Sequence, residues 1–104
     1  MAGEFEALER ALLDFRDRRD WKRFHTPRQL CASVAIEAAE LLELTQWKGD
    51  EEFAAWAQRN RDVVAAECAD VLSYLLLLAN ALGIDLAEAL RAKISVNEGR
   101  FPVT

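Results

Sequence analysis

Histidine, cysteine, proline and glycine are all scarce in this sequence: one His, two Cys, two Pro and four Gly in 104 residues. A single histidine, His25, excludes the di-iron sites of helical carboxylate proteins, which take a Glu-x-x-His from each of two helices. Cys31 and Cys68 lie within helical patterns and not in a C-x-x-C, so they are predicted to be buried free thiols with no chemical role. Basic excess is lacking as well. With 13 Lys and Arg against 18 Asp and Glu, the net charge is −5, which argues against a surface that wraps nucleic acid. No apolar run approaches the ~20 residues that span a bilayer. The acidic, amphipathic opening MAGEFEALER lacks the profile of a signal peptide. A cytoplasmic location without a membrane partner is the expectation.

What is present favours helices. Ala, Leu, Glu and Arg are abundant, β-branched residues are sparse, and the length suits one domain over residues 1–104. Phe5, Leu8, Leu12 and Phe15 recur at helical spacing and predict a first helix over residues 4–20. Thr26, Pro27 and Gln29 spell a capping box with proline at the first helical position, opening a second helix that runs to about Thr45. The stretch EEFAAWAQRN suits a short helix or an irregular connection, with Trp56 as a packing residue. A third long helix covers Arg61 to Leu82 and ends at Gly83. Asp85 with Glu88 then caps a last one carrying Leu86, Leu90, Lys93, Ile94 and Asn97. Short connections between four such helices predict an antiparallel four-helix bundle.

Two acidic pairs interrupt this apolar patterning. At about 100° per residue, Glu67 and Asp70 fall on one stripe of the third long helix with Val63, Tyr74, Leu77 and Leu78. Glu37 and Glu40 flank the stripe of Leu30, Val34 and Leu41 on the second helix in the same way. Taken singly, an E-x-x-E is most simply a solvated salt-bridge face. Two pairs on separate helices, with Leu41, Leu44, Val71 and Tyr74 where i+4 cations would stand, point instead to a shared positive partner. Four hard oxygen donors suit Mg²⁺, or Mn²⁺ in its place, better than Zn²⁺. An acidic Mg²⁺ site is in turn a holder of polyphosphate. Glu37 or Glu40 is the candidate general base. Trp21, Phe24, Trp47 and Tyr74 cluster in or beside these helices, where a base can stack. Lys93 and Asn97 share the stripe of Leu86 and Leu90, within reach of phosphates or the acids if that helix packs against them.

The ordered segments RDWKRFHTPRQL, EAAELLELTQWK, ECADVLSYLLLLA and IDLAEALRAKISVNEGRFP resemble the MazG-like nucleoside triphosphate pyrophosphohydrolases, in particular their dCTP pyrophosphatase branch. The resemblance implies hydrolysis of a nucleoside triphosphate, dCTP or a related pyrimidine, to the monophosphate and pyrophosphate. By it the metal role falls on Glu37, Glu40, Glu67 and Asp70. Nucleotide contacts fall on Trp21, Lys22, Arg23, Phe24, His25, Trp47 and Tyr74, with Lys93 and Asn97 near the phosphates. It also implies a homodimer or a homotetramer built as a dimer of dimers, with sites that receive residues from more than one subunit. Two departures stand out: Leu12 replaces a histidine that contacts substrate in mammalian members, and the connection after Trp47 is shorter. The alternative is a catalytically silent nucleotide-binding module or a structural helical oligomer.

Overall fold

The protein, described over residues 3–103 in a computed structural model, is all-helical. Helix α1 spans Gly3–Asp17, a short 3-10 turn Lys22–Phe24, α2 Pro27–Glu43, α3 Asp50–Arg59, α4 Arg61–Leu82 and α5 Leu86–Arg100. The capping box of α2 forms as the sequence predicts: Gln29 N donates to Thr26 Oγ1 at 3.2 Å, and Thr26 N donates to Gln29 Oε1 at 3.2 Å. Asp85 Oδ1 accepts from Glu88 N at the start of α5. Gly83, at φ 68°, closes α4 in the left-handed conformation that glycine adopts without penalty, and Ile84 N reaches back to Ala79 O.

The first helix ends three residues earlier than its periodicity predicts. Asp20 adopts φ 55°, and Asp20 N and Trp21 N donate to Asp17 O and Arg16 O. This is a Schellman stop with aspartate in the place usually held by glycine. The hydrophobic contact that accompanies such a stop is present, Trp21 meeting Phe15 edge-on with centroids 5.7 Å apart. The loosely patterned EEFAAWAQRN is mostly helix α3. There Trp56 stacks on Phe53, and Lys48 Nζ lies 4.8 Å from the Trp56 ring centre.

The main packing is α2 on α4, with α1 and α3 resting more lightly on α4 and α5 making only slight contact with the rest. The core is correspondingly small, consisting of Leu30, Leu76, Leu77 and Ala79. A closed four-helix bundle is therefore not formed within one chain. The radius of gyration is 16.5 Å, where a compact chain of this length would have about 13 Å. The accessible surface is 8027 Å², about a third more than the roughly 5,900 Å² expected of a compact monomer of 11.7 kDa. Cys31 and Cys68 are free as expected but exposed, not buried, because the helix faces that carry them meet nothing else in this chain. Among the described residues no helix is long and apolar enough to cross a membrane.

Candidate metal centre

The α2–α4 contact brings the two acidic pairs together. One carboxylate oxygen each from Glu37, Glu67 and Asp70 lies within 4.8 Å of the others, with Glu37 and Glu67 half-buried and Asp70 exposed. Asp70 thus sits at the rim of the stripe and not at its apolar centre. Glu40 is not among these three converging oxygens, but its charge acts on both Glu37 and Glu67. Glu43, one turn further along α2, adds to the field on Glu67 and was not singled out from the sequence. The signal was there, since Glu37, Glu40 and Glu43 continue the same three-residue spacing.

Partial burial first, and neighbouring carboxylates second, raise the proton affinity of Glu37 and Glu67 above the ordinary carboxylate range. One oxygen of Glu67 is buried without a hydrogen-bond partner. None of the ion pairs among the described residues reaches the cluster. An all-oxygen donor set with mutual repulsion and an orphaned buried oxygen fits a hard divalent cation.

The raised values fix a pH sign. A carboxylate that binds its proton more tightly in the folded state contributes stability below the unfolded value, and that stability is lost as pH rises through the folded one. Without divalent ions, these two groups therefore weigh against folding at neutral pH. Saturating Mg²⁺ is expected to raise Tm by roughly 5 to 10 °C at pH 7.5 and by much less at pH 5, measured by differential scanning fluorimetry. An equal Mg²⁺ effect at both values would contradict the cluster as the binding site.

The remaining sequence-predicted residues divide. His25 packs edge-on against Tyr74 with centroids 6.3 Å apart, one turn beyond Asp70, which brings the turn before α2 beside the acidic cluster. Burial, and then the Arg16 guanidinium, hold His25 below its ordinary range. Trp21 is committed on one side to Phe15, while the Arg23 guanidinium lies 4.8 Å from the exposed Phe24 ring. Lys22 and Arg23 lie on the 3-10 turn with their side chains in solvent. Trp47 is 91% exposed at φ 66°, a strained conformation for a bulky residue and no core plug. Lys93 and Asn97 lie on α5, which packs too slightly on its own chain to deliver them to α2 and α4.

Residues 32–104 match the model of the MazG-like family. The chain belongs to that family, as its motifs imply. It is 41% identical over 100 residues to dCTP pyrophosphatase 1 of Bos taurus, a match covering 94% of this chain and 59% of the relative. It is 39% identical over 99 residues to dCTP pyrophosphatase 1 of Homo sapiens, covering 93% and 58%. The chain thus spans under two thirds of the length of these relatives. Among solved structures, a pyrophosphatase from Archaeoglobus fulgidus matches with a TM-score of 0.90 at 41% identity, covering 94% of this chain and 92% of the other.

Proposed function

We propose that this protein is a Mg²⁺-dependent nucleotide pyrophosphohydrolase that cleaves dCTP or a related pyrimidine nucleoside triphosphate to the monophosphate and pyrophosphate. The observation that carries this reading is the convergence of Glu37, Glu67 and Asp70 from two helices, with no ion pair to any of them among the described residues. Likeness to dCTP pyrophosphatase 1 and to an archaeal pyrophosphatase supports it. Glu37, Glu40, Glu67 and Asp70 would hold the cation. When bound, Mg²⁺ or Mn²⁺ would supply positive charge that offsets the phosphates and Lewis acidity that favours attack by water.

The chain's own residues supply the rest. Glu37 or Glu40, whose charges act on each other, takes a proton from the water that attacks the α-phosphorus. Tyr74 and His25 form a wall beside the acids. Trp47, held out at positive φ, offers a ring face free of its own chain on which a base can stack, and Trp21 and Phe24 extend the aromatic surface with Lys22 and Arg23 at its edge.

The same reading makes the protein a homo-oligomer, a homodimer or a dimer of dimers in which copies complete the helical bundle. The excess accessible surface is of the size that obligate partners bury. An open cleft of about 700 Å³ between α1, the end of α4 and the start of α5 has Leu76 and Ala79 on its floor and lies far along α4 from the acids. A second copy covers it in this reading. Association also brings Lys93 and Asn97 of one chain to the phosphates held by another.

A nucleotide panel incubated with Mg²⁺ and assayed for pyrophosphate tests the activity. Pyrophosphate release, fastest with a pyrimidine deoxynucleotide and absent in EDTA, is the expected result. Saturable nucleotide binding without product would mark a silent binding module. Neither binding nor turnover would leave a structural helical oligomer.

A further inference from the structure

Trp47 stands where a glycine is usually found. The chain leaves α2 through three tight bonds, with Leu44 N, Thr45 N and Gln46 N donating to Leu41 O, Leu42 O and Glu43 O, and then reverses at Trp47 with φ 66°. A bulky residue in the left-handed region persists only where its surroundings over-determine it. The indole itself contributes little, being 91% exposed.

The residue after it is tied down twice. Lys48 N donates to Thr45 O at 3.0 Å, and Lys48 Nζ donates to Leu44 O at 3.0 Å, at the carbonyl end of α2 where a cation is favoured. The ammonium also lies 4.8 Å from the centre of the Trp56 ring, which is stacked on Phe53 within α3. Lys48 is half-buried, and no ion pair among the described residues includes it, although Asp50, Glu51 and Glu52 follow closely. Its charge is committed to α2 on one side and to α3 on the other.

A residue fixed to two carbonyls behind it leaves its predecessor to make the reversal. We propose that Lys48 is a positioning residue: its ammonium, held between Leu44 O and the Trp56 face, ties α3 to the end of α2 and keeps Trp47 at positive φ, so that the indole stands clear of the chain as a stacking platform. That the platform receives a nucleotide base rests on the pyrophosphohydrolase reading.

Selective ¹⁵N labelling of tryptophan gives three backbone amide signals, assigned with Trp21→Phe, Trp47→Phe and Trp56→Phe. The NOE between the amide and α protons of Trp47 is strong at positive φ and weak at negative φ, so it reads the turn without nucleotide. It is expected to be strong in the wild type, to weaken in Lys48→Met, which keeps the apolar stem but has neither charge nor donor, and to stay strong in Lys48→Arg. In steady-state kinetics with dCTP, Lys48→Met should raise KM about tenfold with kcat unchanged, and Lys48→Arg should stay near wild type. If Lys48→Met does not fold, Lys48→Gln, which loses the charge and falls short of Leu44 O, is read in the same way. A weak NOE in the wild type, or one unchanged by loss of the ammonium, would overturn the proposal. An unchanged KM in a variant that has lost the strong NOE and still turns nucleotide over would overturn its link to binding. If the NMR result holds but no nucleotide is turned over by the wild type, the failure belongs to the pyrophosphohydrolase reading alone.

Discussion

Glu67→Gln is expected to lower Mg²⁺-dependent pyrophosphate release by about a thousandfold or more while leaving the helical fold intact. Of the two half-buried acids of the cluster, Glu67 is the one with an orphaned oxygen, so it has the most to gain from a cation and the least ability to find another partner. Its repulsion from Glu40, Asp70 and Glu43 also means that neutralising it relieves strain in the metal-free protein. The variant's Tm in EDTA at pH 7.5 should therefore equal or exceed that of the wild type, and the stabilisation by Mg²⁺ should disappear. This pairing of lost activity with retained stability separates a functional acid from a structural one. A loss of Tm in EDTA together with normal turnover would reverse the assignment. Assays of pyrophosphate release beside thermal melts decide it.

The second large effect concerns association. Leu90 and Ile94 lie four residues apart on α5 and are 60% and 52% exposed, on a helix that barely touches its own chain. A 15-residue helix is marginal in water without tertiary packing. Replacing both residues by aspartate should convert the proposed oligomer to monomers in size-exclusion chromatography with light scattering. It should lower Tm by about 10 °C or more, and turnover should fall with it because Lys93 and Asn97 no longer reach a neighbouring site. A wild-type protein that is monomeric at micromolar concentration would contradict this prediction outright.

Local chemistry was legible in the sequence to the extent that it is local. The box of Thr26 and Gln29, the stop at Gly83 and the cap at Asp85 depend on residues a few positions apart, and each formed as read. The convergence of Glu37 with Glu67 and Asp70 was legible too, because helical spacing fixes which side each acid takes once α2 packs on α4. The stop after Asp17 was not, since aspartate rarely serves at positive φ and the apolar spacing ran on past it. The exposure of Cys31 and Cys68 was not legible for a different reason. Helical periodicity reports that a face is apolar, not whether the same chain covers it.

The open shape has a consequence for the cell. Assembled as proposed, a chain that exposes about a third more surface than its mass requires would tie its working state to its own abundance. Diluted below the dissociation constant of that assembly, the protein would lose what a neighbouring copy adds to its site more steeply than in proportion to its concentration. Gene dosage and synthesis rate would then act on it more steeply than on an enzyme whose single chain is complete, with no dedicated effector required.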